Sequence, residues 1–189
     1  MKILSLGVAL CCLLCTACRN VEEKRANSIP PATDHPSKSE KSQTPYYYGL
    51  IEEYQTTLQQ DPDNLAALIG LGTAYSDSGA WREAIAQYER VLKLDPRNAD
   101  VHTDLGTAYR NIGYPERALT EYRLALTYEP GHLNARYNLG LLYGFTFRDY
   151  PAAIKVWEDL LRIAPNHPQA EFMRTNIASF RKALKKEHE

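Results

Sequence analysis

Beyond residue 18 the chain has no cysteine, because all four, Cys11, Cys12, Cys15 and Cys18, lie at its start. The rest must hold by packing alone, without disulfides, thiolate-bound zinc or a cysteine nucleophile. An excess of either charge is also missing. The 22 Lys and Arg stand against 23 Asp and Glu, which excludes the broad electrostatic grip that a nucleic-acid partner requires. The five histidines, His35, His102, His132, His167 and His188, never fall in an HExxH or comparable spacing, so no metal is expected. No glycine-rich phosphate loop is present, and no cofactor is expected. The adjacent carboxylates of Glu52 and Glu53 fall on solvated helix faces, with no apolar pocket that would raise a pKa for general acid work. No catalytic residue emerges, and the chain is not expected to be an enzyme. Long hydrophobic runs are lacking as well. The apolar stretch Ile3 to Ala17 is shorter than the roughly 20 residues a spanning helix needs.

What the chain does have is a repeat. Leu71 to Pro96 reads LGTAYSDSGAWREAIAQYERVLKLDP, and Leu105 to Pro130 reads LGTAYRNIGYPERALTEYRLALTYEP. A looser third copy, Leu139 to Pro165, reads LGLLYGFTFRDYPAAIKVWEDLLRIAP and carries one extra residue in its central turn. Leu71, Gly72, Tyr75 and Ala84 recur as Leu105, Gly106, Tyr109 and Ala118, and again as Leu139, Gly140, Tyr143 and Ala153. Tyr88 recurs as Tyr122 and Trp157. A glycine inside a helix costs roughly 1 kcal/mol against alanine, so three at one offset must gain something there. The expected gain is close approach of a second helix, with the small Ala84, Ala118 and Ala153 supplying the other half of the contact. Many of the 13 tyrosines fall on the same repeated core positions, which points to packing rather than to a binding cage.

Period and residues together resemble the tetratricopeptide repeat, with its W-x2-L-G-x2-Y…A-x3-F…P pattern. The place of the tryptophan is held here by Leu68, His102 and Arg136. The resemblance implies an all-α fold, a right-handed α-solenoid of stacked antiparallel helix pairs. Its repeats would run 65–98, 99–132 and 133–167, with helices at 65–78 and 81–94, 99–112 and 115–128, and 133–146 and 151–163. Asn64 and Asn98 sit where N-caps are wanted, and Pro62, Pro96, Pro130 and Pro165 stop the helices before them. Residues 46–64 match only the second half of a repeat, so the solenoid should begin on a lone helix. Leu50 stands there in place of the small alanine. From Pro168 to Lys186 one more helix is expected, with Met173, Ile177, Phe180 and Leu184 as a single apolar stripe. Its other face, with Arg174, Arg181, Lys182, Lys185 and Lys186, suits the polar outside of a capping helix in 168–189.

The N-terminus reads differently. Lys2 followed by the short apolar run has the form of a secretory signal in residues 1–17. Its end, Leu14-Cys15-Thr16-Ala17-Cys18, resembles a bacterial lipobox, with Cys15 where leucine is usual. That resemblance implies lipidation of Cys18 and anchoring in a membrane; an ordinary signal cleaved after Ala17 and an uncleaved anchor are the alternatives. Residues 18–45 are rich in Pro, Ser, Lys and Glu and read as a disordered tether. Its span would be on the order of 25 to 30 Å. Arg19, rather than Asp, follows Cys18, and by the lipoprotein resemblance this leans towards the outer membrane, facing the periplasm.

In the tetratricopeptide family the first helix of each pair lines a concave groove. By that resemblance the lining is Ala66, Ile69, Thr73, Ser76 and Asp77, then Asp100, Thr103, Thr107, Arg110 and Asn111, then Asn134, Tyr137, Leu141, Gly144 and Phe145. Chaperone-tail binders in the family hold a peptide carboxylate with Lys and Asn in this groove. Here Thr73 and Thr107 replace the Asn, and Ile69 and Thr103 the Lys, so that clamp is absent. The expected function is a non-catalytic scaffold or adaptor holding an envelope protein or peptide, with a lipid-anchored membrane attachment and no nucleic acid. A self-associating spacer and an enzyme accessory are the rivals.

Overall fold

The computed structural model describes residues 45–186; residues 1–44, with the expected leader, Cys18 and tether, lie outside them, as do 187–189. Eight helices follow one another: α1 Pro45–Gln60, α2 Leu65–Asp77, α3 Trp81–Leu94, α4 Ala99–Asn111, α5 Pro115–Tyr128, α6 Leu133–Leu141, α7 Tyr150–Ile163 and α8 Ala170–Lys186. Each packs on the helix before and the helix after it. The first helices of successive repeats, α2, α4 and α6, also touch in sequence. This nearest-neighbour pattern is that of a helical solenoid.

The starts of the first helices follow from the turn sequence. Asn64 and Asn98 accept hydrogen bonds from the backbone N–H of Ala67 and Val101 at 3.0 and 3.1 Å. Their amides donate back to Asp61 and Asp95 at 3.1 and 3.0 Å, so each Asp-Pro-x-Asn turn fixes its own cap. Such a cap is worth about 1 kcal/mol. In the third repeat His132 takes this place, its Nδ1 accepting from Ala135 N–H at 3.1 Å.

The mid-helix glycines admit aromatic rings. A Cβ on Gly72 would lie 2.5 Å from Cε1 of Tyr88, and one on Gly106 would lie 2.7 Å from Cε1 of Tyr122. On Gly140 it would meet the Trp157 indole. The helices approach closely, as expected, but the room left by each glycine goes to the ring from the second helix. Ala84, Ala118 and Ala153 are completely buried beside these contacts.

Leu68, Ile85, Tyr88, Val91, Val101, Leu105, Tyr109, Tyr122, Leu139 and Leu142 form one buried cluster through the first two repeats and into the third. Ile154, Trp157, Leu160, Met173, Ile177 and Phe180 form a second between α7 and α8. The positions lacking tryptophan are filled by other means. Leu68 is fully buried, Arg136 donates to the Pro130 carbonyl, and His102 donates from Nδ1 to Glu121 at 2.7 Å and from Nε2 to the Pro96 carbonyl at 3.1 Å. Burial pushes the His102 pKa down, but those two hydrogen bonds outweigh it and the net shift is upward.

The ends are polar. On α1, Glu52, Glu53, Thr56 and Gln60 are exposed, and Thr57 stands at the offset of the fully buried Val91. On α8, Met173, Ile177 and Phe180 are buried and Leu184 is half-buried, while Lys182, Lys185 and Lys186 face outward. Arg181 pairs with Glu158, and Arg174 donates to the Pro165 carbonyl at 2.9 Å.

One expectation needs correcting. The first helix of the third repeat, expected as a regular helix over 133–146, stops being α-helical at Leu141 and continues as a π-helical segment, Leu142–Phe147. The extra residue of the 35-residue copy is absorbed there. The turn that follows is left-handed at Arg148, with φ 55°, where the first two repeats use Gly79 and Gly113 at φ 81° and 84°. A non-glycine residue costs roughly 1–2 kcal/mol in that region. Arg148→Gly should therefore raise stability by about 1 kcal/mol, seen as a higher urea midpoint at unchanged m. A lowered midpoint would show that the arginine side chain contributes more than its backbone costs.

Candidate functional site

The site is built from the first helices α2, α4 and α6, which lie side by side. Because Gly72 and Gly106 carry no side chain, Tyr88 and Tyr122 reach across from the second helices. The Tyr88 hydroxyl lies 3.3 Å from Ser76 Oγ. The Tyr122 hydroxyl lies 3.1 Å from Thr107 Oγ1, which itself donates to the Thr103 carbonyl at 3.0 Å. Tyr122 is therefore the donor to Thr107. Burial raises both phenol pKa values, and both remain neutral hydrogen-bonding groups. Between α2 and α4 the surface sinks into a recess of about 200 Å³ lined by Thr73, Ser76, Asp77, Trp81, Tyr88, Asp104 and Thr107.

Asp104 is the distinctive group in that recess. Burial, and then the charges of Asp100 and Asp77, push its carboxyl up to about 6, with His132 offsetting part of the rise. His132 cannot turn to serve it. Its Nδ1 is occupied as the α6 cap, so the proton sits on Nε2 and is donated to Asp100 at 2.9 Å.

Thr73, Asp77, Asp100, Asn111 and Asn134 are exposed, and Thr107, Arg110 and Tyr137 are half-buried. Thr73, Ser76, Asp77 and Thr107 are brought together around the recess. Asn138 donates to Thr107 Oγ1 at 3.5 Å, linking the recess to α6, and the charge of Arg110 acts on both Tyr122 and Tyr137. Thr103 departs from its expected place. It is 3 % exposed and its hydroxyl donates to the Ala99 carbonyl at 2.8 Å, so it offers nothing to a ligand. Gly144 is likewise buried, its Cβ position 2.7 Å from the Phe180 ring. Ile69 packs against the core.

Beyond α4 the surface turns aromatic. Phe145, on the π-helical segment, is 51 % exposed, and Phe172 of α8 is 42 % exposed. Their ring centroids lie 6.2 Å apart, and Phe172 meets Tyr137 edge-on at 6.3 Å. Beneath them Trp157 donates its indole N–H to the Tyr137 carbonyl at 3.1 Å.

Sequence reasoning missed Asp104 and Phe172. Asp104 lies four residues after Asp100 and three before Thr107, spacings that share one helix face. Phe172 lies 35 residues after Tyr137, at the third copy's own period.

No group of three or more His, Cys, Asp or Glu among the described residues could hold a metal ion. No helix among them is long and apolar enough to cross a membrane.

Two family descriptions match the chain: "TPR repeat" over residues 72–113 and "Tetratricopeptide repeat" over residues 103–168. No curated protein matches it. Among solved structures it is similar to MamA, at 27% identity and a TM-score of 0.62 over 75% of this chain and 89% of that one. It is similar in fold to a tetratricopeptide repeat protein from Parabacteroides merdae, at 24% identity and a TM-score of 0.64, covering 72% of this chain and 54% of the other. The first repeat domain of Spaghetti (RPAP3), bound to the HSP90 peptide SRMEEVD, is similar in fold at 24% identity and a TM-score of 0.59, over 66% of this chain and 96% of that one.

Proposed function

Since residues 72–168 of the chain are tetratricopeptide repeats, we propose that it is a non-catalytic scaffold that binds a partner protein or peptide in the groove of α2, α4 and α6, and that a lipid on Cys18 holds it to a bacterial envelope membrane. The observation that carries the groove reading is the recess between α2 and α4, where Asp104 keeps a half-buried carboxylate that the described structure gives no hydrogen bond. A position serving packing alone is more stable with an apolar or neutral residue. The anchoring reading rests on the sequence ending at Cys18 and on the polar stretch after it. Outer-membrane attachment facing the periplasm is the location that Arg19 favours.

The partner is not expected to be a chaperone tail. The neighbour's peptide, SRMEEVD, is acidic, and here it would meet Asp77, Asp100 and Asp104 with no Lys–Asn clamp to hold it.

In-cell crosslinking and affinity capture test the groove reading, with a variant carrying Asp77→Ala, Arg110→Ala and Asn134→Ala. Thr103 is left alone because it is buried. A protein captured by the parent should be lost with the variant, and an identical captured set would sink the groove as the site. Capture of the chain alone, with a dimer's size in solution, would favour the self-associating spacer. For the anchor, Cys18→Ala should move the protein from the membrane fraction to the soluble one and abolish incorporation of radiolabelled palmitate. Unchanged fractionation would overturn it.

A further inference from the structure

Phe145 and Phe172 are two large aromatic side chains left about half exposed and in contact with each other. Phe145 holds an expected lining position, and Phe172 meets the ring of Tyr137, another such position, edge-on. Their presence is not a by-product of the repeat, because Phe145 lies on the π-helical segment that only the third copy has. Single π turns inside helices recur at functional sites, and this one ends in a left-handed arginine that costs stability. Along the same groove, towards the N-terminus, the charge is one-sided: Asp77, Asp100 and Asp104 against Arg110 alone, with Asp100 already holding a hydrogen bond from His132. The whole chain is nearly neutral, so this local excess is a property of the groove. Apolar surface at one end and unmatched carboxylates in the middle describe the complement of one kind of segment.

We propose, resting on the groove reading above, that the partner segment is basic and carries a large apolar residue, which anchors on Tyr137, Phe145 and Phe172 while its Lys or Arg side chains lie against Asp100, Asp104 and Asp77. The spacing follows from the repeat. Neighbouring first helices stand roughly 8–10 Å apart, and an extended chain covers about 3.3 Å per residue. Tyr137 on α6 is one such step from Asp100 on α4 and Phe172 on α8 is two, so the apolar anchor and the first basic residue are about three to six positions apart. Aromatic faces also accept cations, but the anchor is apolar, because Phe145 rests on the buried rings of Trp157 and Phe180 and not on a polar group.

A random dodecapeptide phage library panned on the immobilised full chain tests this, followed by fluorescence anisotropy on the selected peptides. Selected peptides should be enriched in Lys or Arg together with one Phe, Trp or Leu at that spacing. Phe145→Ala and Phe172→Ser, both at exposed positions, should each weaken binding about tenfold and erase the apolar preference. Asp100→Asn with Asp104→Asn should weaken it about tenfold and flatten its salt dependence, since exposed charge pairs are screened. The parent's helical circular dichroism and a single cooperative unfolding transition would confirm that the variants are folded. Enrichment of acidic peptides, selection unchanged by the variants, or no enrichment would each overturn the proposal. If a groove-dependent partner is captured in cells while the library yields acidic or uncharged peptides, the ligand chemistry is wrong and the groove reading stands. If neither experiment depends on the groove, both fall.

Discussion

Trp157→Ala should destabilise the chain by about 3–5 kcal/mol, the range for removing a large aromatic from a core, and should do so unevenly along it. The indole is completely buried, fills the space left by Gly140, donates to the Tyr137 carbonyl at 3.1 Å, and stacks on Phe180 at 6.0 Å. It thus ties α6, α7 and α8 to one another. In a chain of nearest-neighbour contacts the loss should stay local. Amide exchange should accelerate first in residues 133–186, while α2 and α3 keep their protection. Thermal unfolding should shift down by roughly 10 °C, given the size of the described region, residues 45–186. A parallel check is available in Phe145, whose ring rests on Trp157 at 6.3 Å. Its environment should change even where the helices remain. Equal loss of protection in all three repeats would mean that the solenoid unfolds as one unit, against the local account.

The architecture was legible because the repeat states it three times. Leu, Gly and Tyr at fixed offsets, with proline closing each unit, carry the family resemblance that implies a helix pair and its neighbour contact, and the capping asparagines fall where their side chains can reach the N–H two to three residues on. The π-helical segment was not legible. An extra residue near the turn can be absorbed as a longer loop or inside the helix, and the local sequence of Leu142–Phe147 is compatible with either. What decides is tertiary: Gly144 lets the Phe180 ring approach, and the widened turn sends Phe145 to the same cluster. The groove was half legible for a similar reason. The family's lining positions pick out Thr73, Asp77, Arg110 and Tyr137, but they also include Thr103, whose hydroxyl turns back onto its own helix. They omit Asp104, which only the approach of α2 places in a recess.

Asp104→Asn should stabilise the chain at pH 7 and leave it nearly unchanged near pH 4. Burial and the carboxylates of Asp100 and Asp77 hold the folded-state pKa at about 6, above the ordinary 3.8. A group whose pKa is raised on folding binds more protons in the native state, so stability falls as pH rises between those two values. The full shift corresponds to about 3 kcal/mol, and partial solvation of the recess reduces the expected gain to roughly 1–2 kcal/mol. His102 adds a slope of the same sign, because its pKa is also raised: the contribution of its bonds to Glu121 and Pro96 is present below about 6.5 and lost as pH climbs through the folded value. The two are separable, since Asp104→Asn should remove the slope between pH 4 and 6 and keep the one above. Urea midpoints measured from pH 4 to 8 would show it. The groups facing Asp104 are Asp100 on its own helix, Asp77 from α2, His132 at the start of α6, and the hydroxyls of Tyr88 and Tyr122 on α3 and α5. None of these is a cation fixed on Asp104, because the His132 proton is committed to Asp100. A Lys or Arg from a basic partner would supply what the fold withholds. Its binding should weaken as pH falls through about 6, and in Asp104→Asn that dependence should vanish together with part of the affinity. Stability that gains nothing at pH 7 from the substitution would place Asp104 in open solvent and remove the reason for assigning it a ligand.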